Sequence, residues 1–330
     1  MHGMSRLALS LTDLYAPIRE DLAAAQRIFD DELRSDLAFV SELCDTVRSY
    51  RGKMLRPALL LLSARATGRV TPAHHTLAAV VETVHVATLV HDDVLDEADE
   101  RRRRPTVRAL AGNVAAILLG DYLISHAFHL CSSLDDQHAS RRIGAATNMV
   151  CAGELLQNHA RGSDRFTEAD YLDIVRRKTG ALTAVSCELG AYYANTGASV
   201  VAGARAFGMS VGVAFQIIDD VLDIVGDRDE MGKTLGLDVV LGKLTLPAIH
   251  CLAVGSPATS GALRRALRGE VPIDMRQVKA WLEETGSVQY AVQTARGQVE
   301  EAVRQLEVLP CSDAKTALTG MAEFIIDRRF

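Results

Sequence analysis

The sequence predicts an all-α fold, a single-domain helical bundle, and three observations support this prediction. Only eight of the 330 residues are proline, and none lies between Thr106 and Leu246, so no proline interrupts a helix in that stretch. The segments 76–90 and 204–218 are hydrophobic nearly all round, as is typical of helices at the centre of a bundle. No alternating strands flanked by Asn-Gly or Asp-Gly turns are present.

Breaks in the helical pattern fall at clusters of glycine, proline and polar residues, and no low-complexity linker divides the chain. We therefore expect one domain that spans residues 1–330. Between the breaks, the sequence predicts helices at 11–33, 36–49, 57–67, 74–97, 107–132, 140–160, 167–178, 180–195, 198–225, 244–254, 260–269, 274–286, 288–308 and 312–328.

The composition predicts a soluble, cytoplasmic protein with a large core. Hydrophobic residues make up 48% and charged residues 24%, and the net charge of −6 without a dominant basic block argues against nucleic-acid binding. Residues 1–22 do not read as a secretory signal, and apolar runs such as 114–119 are shorter than the roughly 20 residues of a transmembrane helix. The six cysteines form no Cys-x-x-Cys pair, which favours core thiols in a reducing compartment.

The first motif with chemical content is an acidic cluster at the end of an apolar helix. Asp92 and Asp96 are four residues apart and share one helix face, with Asp93 offset. Like charges on adjacent turns repel, so stability alone does not explain them, whereas magnesium takes ligands from one or two carboxylates, water and phosphate. The alternative, a solvated helix end, fits poorly with the apolar approach at 84–90.

Basic and imidazole side chains accompany this cluster. His85 precedes Asp92 by about two turns on the same stripe, although a single histidine on a helix is more often a core residue. Arg101 and Arg102 follow in a loop, and the planar guanidinium suits phosphate oxygens. These arginines would serve equally to neutralise the acidic residues 96–100.

A second acidic cluster repeats the spacing at the end of another apolar helix. Asp219, Asp220 and Asp223 form it, and Gln216 lies on the preceding turn. One Asp-Asp-x-x-Asp motif is weak evidence, but two at the ends of buried helices predict facing carboxylate banks that hold several magnesium ions and one diphosphate. A di-iron bundle would need Glu-x-x-His pairs on two helices, and Glu82-x-x-His85 is the only convincing one.

Cationic residues near the helix breaks suggest further anion contacts. Lys53 and Arg56 precede a helix that begins at Pro57, where free N–H groups favour an anion such as a second diphosphate held without metal. A plain basic loop is an equally good explanation of that segment alone. The other cations near breaks, each weak by itself, are Lys178 beside Thr179, Lys233 and Lys243.

Together these motifs resemble the trans-isoprenyl diphosphate synthases, or polyprenyl synthetases, of the medium- and long-chain type. The resemblance covers most of the chain in the right order and ends near residues 327–329. The matching segments are Gly52-Lys53-Met54-Leu55-Arg56-Pro57, Glu82-x-x-His85, both acidic motifs, Arg101-Arg102, Gly120-Asp121-Tyr122-Leu123, Lys178-Thr179, Phe215-Gln216 and Gly242-Lys243-Leu244-Thr245-Leu246-Pro247.

The resemblance implies an isoprenoid synthase fold around a central elongation cavity, usually as a homodimer. It also implies magnesium-dependent, head-to-tail condensation of isopentenyl diphosphate with an allylic diphosphate. Carried over by position, the metal ligands are Asp92, Asp96, Asp219 and Asp223. The catalytic set is Asp92, Asp93, Asp96, Asp219, Asp220 and Lys178. The isopentenyl diphosphate site is Lys53, Arg56, His85 and Arg102. The contacts to the allylic diphosphate are Arg101, Lys178, Thr179, Gln216, Lys233 and Lys243.

The sequence departs from the family pattern without losing a catalytic group. Arg103 stands where a glycine usually follows the arginine pair, which predicts a stiffer loop, and Arg51 replaces the first residue of Gly-Gly-Lys. The stretch 237–240 is also atypical. These departures put the geometry of two phosphate-binding loops in question rather than the chemistry.

Small side chains above the first acidic motif predict a long product. Ala87 and Thr88 lie one turn above Asp92, where family members that stop early often carry an aromatic residue. We therefore expect a product longer than farnesyl, a medium or long all-trans chain, with geranylgeranyl as the alternative. The cavity floor is expected near Val84 or on the helix that contains residues 122–129.

Two other functions were weighed against chain elongation. A terpene cyclase also ionises an allylic diphosphate, but it normally carries an Asn/Ser/Glu metal motif on the second bank and does not need Lys53 and Arg56. A noncatalytic partner subunit would be expected to lose one acidic bank, and both banks are intact in this sequence.

Overall fold

A computed structural model describes residues 10–49, 52–161, 163, 166–226 and 236–327. Within these ranges the chain is almost wholly helical, which confirms the predicted all-α class. The first seven helices are α1 (Leu11–Leu14), α2 (Arg19–Glu32), α3 (Ala38–Ser49), α4 (Leu55–Thr67), α5 (Pro72–Leu95), α6 (Val107–Ser132) and α7 (His138–His159). They are followed by α8 (Glu168–Val175), α9 (Ala181–Tyr193), α10 (Ala198–Val225), α11 (Leu237–Val240), α12 (Leu246–Val254), α13 (Pro257–Leu267), α14 (Met275–Glu284), α15 (Ser287–Gln305) and α16 (Asp313–Ile326).

Two local differences from the predicted helices have physical causes. The predicted helix 11–33 is interrupted by a 3₁₀ turn at Ala16–Ile18, where Pro17 lacks the amide donor that a continuous helix needs. The predicted helices 167–178 and 180–195 are not separated by a break, because a π-helical turn at Arg176–Gly180 joins α8 to α9. Such a turn adds one residue to the helical repeat and has no propensity signature in the sequence.

A small hairpin between α5 and α6 corrects the expectation of a chain without strands. Strands β1 (Glu100–Arg101) and β2 (Arg104–Pro105) pair antiparallel, with Arg101 opposite Arg104. Arg102 and Arg103 form the turn with φ of 53° and 62°. A turn with two positive φ values normally contains Asn-Gly or Gly-Gly, so two arginines there concealed the hairpin from sequence reasoning.

The core is built around α9, whose residues 181–191 are all buried. This helix packs against α4, α5, α7 and α10, and α10 in turn packs against α15. The π-turn lies at the N-terminal end of α9, and the second acidic motif lies at the C-terminal end of α10. The most tightly packed helices of the bundle therefore fix where the polar motifs lie.

A close helix approach explains the Gly120 motif. Helix α5 packs along α6, and a Cβ on Gly120 would lie 2.1 Å from Nε2 of His91. The same imidazole nitrogen is 3.1 Å from the carbonyl oxygen of Ile117. Glycine therefore leaves the space that the His91 ring occupies beside the first acidic motif.

In the part of the chain that the structure describes, two helices are long and apolar enough to cross a membrane by length and composition alone: α6 and α10. In α10, 61% of the apolar window is buried inside the protein, as is common for a core helix. In α6 the buried share is 33%. Gly112, with φ of 83°, kinks α6 near its start, and after the kink Val114, Ile117 and Leu118 form an exposed apolar stripe.

Candidate active site

The first acidic bank lies at the C-terminal end of α5, and its three carboxylates have different surroundings. Asp93 is buried, and its Oδ1 accepts Arg101 Nε at 2.9 Å and Nη2 at 2.8 Å. Asp96 pairs with the buried ammonium of Lys243, whose Nζ is 2.8 Å from Oδ1 and 3.0 Å from Oδ2. Asp92 is half-buried and takes part in neither pair. Asp93 thus holds the hairpin, whereas Asp92 and Asp96 lie near the lysines Lys178 and Lys243.

The second bank is organised by hydrogen bonds to Asp220. Its Oδ2 accepts the Tyr171 hydroxyl at 2.7 Å, and its Oδ1 accepts Gln216 Nε2 at 2.7 Å. The side-chain oxygen of Gln216 accepts the Thr179 hydroxyl at 2.6 Å. This chain of bonds ties α10 to α8 and to the π-turn. Because both oxygens of Asp220 are engaged, we interpret it as a positioning residue of the bank.

The segment 236–243 connects the two banks. The backbone N–H of Asp238 donates to Oδ2 of Asp223 at 3.2 Å, on the second bank. The Asp238 carboxylate is 3.4 Å from Lys243 Nζ, and Lys243 in turn pairs with Asp96 on the first bank. These contacts bring the two acidic motifs to opposite sides of one segment. Lys233 lies outside the described residues.

Both carboxylate banks lie at helix C-termini, where the helix dipole is unfavourable to negative charge. A helix C-terminus carries partial negative charge, so carboxylates in the last turns are destabilising unless cations compensate. The acidic motifs lie in the last turns of α5 and α10. Lys243 and Arg101 supply part of that compensation within the chain. An arrangement that costs stability at two helix ends points to a binding role.

The π-turn carries Lys178 between the banks. Its Nζ lies 2.5 Å from Oε2 of Glu154 and 3.0 Å from Oε1 of Gln157, both on α7. Burial lowers the pKa of Lys178, but the carboxylates of Asp92, Glu154 and Asp96 outweigh it and raise the pKa above its usual value. The ammonium is therefore charged and lies near the first bank.

A separate cationic cluster gathers the residues expected to bind a second diphosphate. Burial and the charges of Arg56, Arg101 and Arg102 hold the pKa of His85 well below its usual value, so the imidazole is neutral. A Cβ on Gly52 would lie 2.9 Å from the Arg102 guanidinium, so the glycine makes room for that side chain. The structure thus brings His85, Arg56 and Arg102 together.

Arg56 connects this cluster to the rest of the site. Burial lowers the pKa of Arg56, and the negative charges of Glu82 and Asp219 oppose this effect. Glu82 is itself buried, with 2% of its surface exposed. The Arg56 guanidinium remains charged because these carboxylates surround it. Asp219, on the second bank, is therefore near the cationic cluster.

The loop that carries Lys53 is held by both ends of the chain. The Tyr15 hydroxyl donates to the Lys53 carbonyl oxygen at 2.8 Å, and Lys53 Nζ lies 5.7 Å from the centroid of the Phe324 ring. Met54, next in the chain, adopts a left-handed conformation with φ of 52° immediately before α4. A left-handed non-glycine residue is costly and needs such support.

The carboxyl groups of Asp92 and Asp220 at the banks retain protons more strongly than usual. Burial raises the pKa of Asp92 to about 6; the carboxylates of Glu154 and Asp96 add to the rise, and Lys178 and Arg101 oppose it. Burial also raises the pKa of Asp220 to about 7, to which Asp238 and Asp219 contribute. Crowded carboxylates of this kind favour a cation between them.

The donor set fits magnesium better than a metal enclosed by protein ligands. Within the described ranges, no three histidine, cysteine or acidic side chains lie close enough together to hold a metal ion. Carboxylates on two separate helices, near charged lysine and arginine, suit an ion that takes its other ligands from water and phosphate. Asp92, Asp96, Asp219 and Asp223 remain the side chains that would hold it.

The residues expected to govern cavity depth lie in the packed wall above Asp92. Ala87 is fully buried in an apolar cluster shared with α2, α3 and α6, and Val84 is fully buried in the main core. Thr88 is half-buried, and its hydroxyl donates to the His85 carbonyl oxygen at 2.7 Å. Among the three, Thr88 lies closest to the stripe of Asp92, four residues before it.

Sequence reasoning missed several residues that the structure brings to the site. Glu154 and Gln157 contact Lys178, and Tyr171 contacts Asp220. A sequence signal existed for Glu154 and Gln157, which lie three residues apart on one face of α7 directly after Gly153. Tyr171 had no such signal, because its partner is 49 residues away in the sequence.

Comparisons with known proteins identify a family and several relatives of this chain. The model of the polyprenyl synthetase family matches residues 38–285. The all-trans-nonaprenyl-diphosphate synthase (geranyl-diphosphate specific) of Rhodobacter capsulatus is 36% identical over 96% of this chain and 97% of the relative. The octaprenyl diphosphate synthase of Escherichia coli is 33% identical, over 94% of this chain and 96% of the relative.

Solved structures are similar over nearly the full length. A polyprenyl synthase from Caulobacter crescentus, complexed with calcium and isoprenyl diphosphate, superposes with a TM-score of 0.94 at 30% identity, over 98% of this chain and 100% of the other. A decaprenyl diphosphate synthase from Rhodobacter capsulatus gives a TM-score of 0.91 at 31% identity, over 97% and 99% of the two chains. The sequence match, the shared fold and the paired acidic motifs lead to one assignment: the chain belongs to the polyprenyl synthetase family.

Proposed function

We propose that this protein is an all-trans polyprenyl diphosphate synthase, a prenyltransferase that adds isopentenyl diphosphate repeatedly to an allylic diphosphate. The observation that carries the proposal is the pairing of two chemically different side-chain clusters, one that would bind a diphosphate through magnesium and one that would bind it directly. One consists of the carboxylate banks on α5 and α10, and the other is the cationic cluster around Arg56 and His85. Two diphosphates bound side by side are what a condensation between two such substrates requires.

The banks are proposed to bind the allylic diphosphate. Asp92, Asp96 and Asp219, with Asp223, would hold magnesium ions, which when bound supply positive charge to the diphosphate as its bond to the allylic carbon breaks. Lys178, Thr179, Gln216, Lys243 and Arg101 are proposed to contact the same diphosphate, together with Lys233. Their charges and N–H or O–H groups are proposed to stabilise the departing group.

The cationic cluster is proposed to bind isopentenyl diphosphate without metal. Lys53, Arg56 and Arg102 supply positive charge, and neutral His85 supplies a hydrogen-bond donor and acceptor. The double bond of the bound isopentenyl group then meets the allylic carbon, a carbon–carbon bond forms, and one proton leaves. The departing diphosphate is the proposed acceptor of that proton, so no side chain forms a covalent bond with substrate.

The product is proposed to be longer than farnesyl. Relatives at 33–36% identity are named for octaprenyl and nonaprenyl products. Small side chains at Ala87 and Thr88 agree with an open path above Asp92. Geranylgeranyl diphosphate, one isoprene unit longer than farnesyl, is the alternative product: it would contradict a medium or long chain without contradicting the reaction.

The direct experiment incubates the purified protein with isopentenyl diphosphate, magnesium and each allylic primer in turn, and measures product masses. A series of diphosphates that grows by isoprene units, ending beyond farnesyl, is the expected result. Cyclic hydrocarbons without incorporation of isopentenyl diphosphate would identify a terpene cyclase instead. No turnover by the protein alone would indicate that it needs a second subunit.

Protons and magnesium are expected to compete at the first bank. The pKa of Asp92 is about 6 in the metal-free protein, so the carboxyl is increasingly protonated as the pH falls through that value. Activity should therefore fall below pH 6 at low magnesium, and higher magnesium should move the midpoint to lower pH. Initial rates over pH 5–8 at several magnesium concentrations test this; a midpoint unaffected by magnesium would contradict it.

We also propose that the chain acts as one domain and as a homodimer in the cytoplasm. The six cysteines, all described, are free thiols, as expected in a reducing compartment. Val114, Ile117 and Leu118 follow the kink at Gly112, lie on one side of α6 and are 45–72% exposed. A second copy of the same helix, related by a two-fold axis, would cover this stripe with an identical one.

Charges on the α6 stripe are expected to dissociate the dimer. A Val114→Asp, Leu118→Asp variant places carboxylates at two exposed apolar positions, which costs an apolar interface heavily but leaves the folded monomer's core untouched. Light scattering after size exclusion should report a dimer for the wild type and a monomer for the variant. Val308→Asp, at an exposed apolar position outside α6, is the matched control. A monomeric wild type would reject the interface.

A further inference from the structure

We propose that Glu154 is a positioning residue that holds Lys178 next to Asp92 but apart from it, with Gly153 and Gln157 completing the arrangement. The proposal rests on the diphosphate-binding role proposed above for Lys178. Glu154 orients the Lys178 ammonium for contact with the allylic diphosphate. It also leaves the Asp92 carboxylate available to magnesium.

The contacts of Lys178 show how it is held. Its Nζ lies 2.5 Å from Glu154 Oε2 and 3.0 Å from Gln157 Oε1, so α7 engages the ammonium from two positions. The Lys178 and Glu154 side chains are only 20% and 18% exposed. A pair shielded from water in this way is screened much less than a surface pair, so it fixes the direction of the lysine.

The backbone around the pair is shaped for this contact. A Cβ on Gly153 would lie 2.9 Å from the backbone nitrogen of Lys178 and 2.9 Å from Cβ of Arg177. Only glycine lets α7 approach the π-turn this closely, and the neighbouring Glu154 then reaches the ammonium. The π-turn Arg176–Gly180 meanwhile shifts Lys178 out of the regular helical repeat.

The position of Asp92 explains why such a holder is useful. Lys178 is close enough to Asp92 and Asp96 for each to raise its pKa, yet among the described contacts its ion pair is with Glu154. Apart from Glu154, the carboxylate whose charge acts most strongly on the ammonium is Asp92. An ion pair there would occupy the oxygen that a magnesium ion needs, so the lysine and the metal would compete.

The test compares Glu154→Ala and the isosteric Glu154→Gln with the wild type. Binding of a thiolo analogue of geranyl diphosphate, which does not ionise readily, is measured by calorimetry in magnesium, together with kcat and KM. We expect Glu154→Ala to weaken analogue binding and to raise the magnesium requirement, each about 10-fold, while KM for isopentenyl diphosphate stays unchanged. Glu154→Gln, which retains the shape and one acceptor, should fall between the two.

Asp173→Asn is the matched control. Asp173 pairs with Arg177, the residue before Lys178, through an Oδ2 to Nε distance of 2.8 Å, so its loss removes an ion pair from the same turn. This variant should bind the analogue as the wild type does. Equal losses in Asp173→Asn and Glu154→Ala would overturn the proposal, because they would report a general loosening of the π-turn.

A double-mutant cycle separates positioning from structural support. In a Lys178→Ala background, Glu154→Ala should have no further effect on analogue binding, because the side chain it positions is gone. A full additional loss in that background would overturn the proposal, as would wild-type binding by both Glu154 variants. A wild type that binds the analogue but forms no longer product would instead reject the proposed function.

Discussion

Asp92→Ala is expected to abolish measurable chain elongation, and Asp92→Asn is expected to lower kcat by about 10³-fold or more. The asparagine keeps the shape of the side chain but removes the charge proposed to hold magnesium on the first bank. The buried site gives bulk water little opportunity to replace that charge. Initial rates of isopentenyl diphosphate incorporation at saturating magnesium measure the effect.

Asp92→Asn is also expected to raise the stability of the protein in the absence of metal. Burial raises the pKa of Asp92 from 3.8 to about 6, so the wild type loses folding stability as the pH rises through this interval and does not regain it above. At neutral pH the asparagine variant should therefore be more stable by up to about 3 kcal/mol. Denaturant unfolding with a chelator measures the difference, and added magnesium should reverse its sign.

Asp99→Asn provides the control for Asp92. Asp99 follows the same acidic motif and pairs with Arg108, but its side chain is 79% exposed. Its removal should change kcat by less than about twofold, as for most exposed ion pairs. Near-normal activity of Asp92→Asn would contradict the proposed role of the first bank in catalysis, whatever the effect of the substitution on stability.

The fold was largely predictable because its signals are local. Proline placement and apolar periodicity locate α5, α6 and α10 to within a few residues. What the sequence hid were two conformations that its residue types do not favour. The Arg102-Arg103 turn uses left-handed φ values without glycine, and the π-turn at Arg176–Gly180 looks like ordinary helix. Both are held by tertiary contacts, which local propensity does not encode.

The site was predictable to the extent that spacing along a helix determines which side chains share one face. Asp92 and Asp96 share a face by their spacing, but partners from distant segments were beyond that reasoning. Lys243 was expected on a diphosphate, and in the substrate-free chain it pairs with Asp96, 147 residues away. This pair suggests that Lys243 must leave Asp96 before a magnesium ion reaches both of its oxygens.

Ala87→Phe is expected to shorten the product. Ala87 lies five residues before Asp92, about 7.5 Å along the axis of α5, and is fully buried in an apolar cluster with residues of α2, α3 and α6. The ring must push aside its neighbours on α5 and α6 or enter the cavity, where it would stop the growing chain after a few isoprene units. Mass spectrometry of the products from one allylic primer reports the change.

Ala79→Phe distinguishes a shallower cavity from a destabilised protein. Ala79 belongs to the same buried cluster, so phenylalanine there carries a similar overpacking cost of about 1–3 kcal/mol. It lies two turns further from Asp92, however, so a chain should grow longer before it meets the ring. Products that lengthen in the order Ala87→Phe, Ala79→Phe, wild type would show that distance from the first bank sets chain length. Equal shortening by both variants would attribute the effect to lost packing, and an unchanged product from Ala87→Phe would remove this wall of α5 from the control of length.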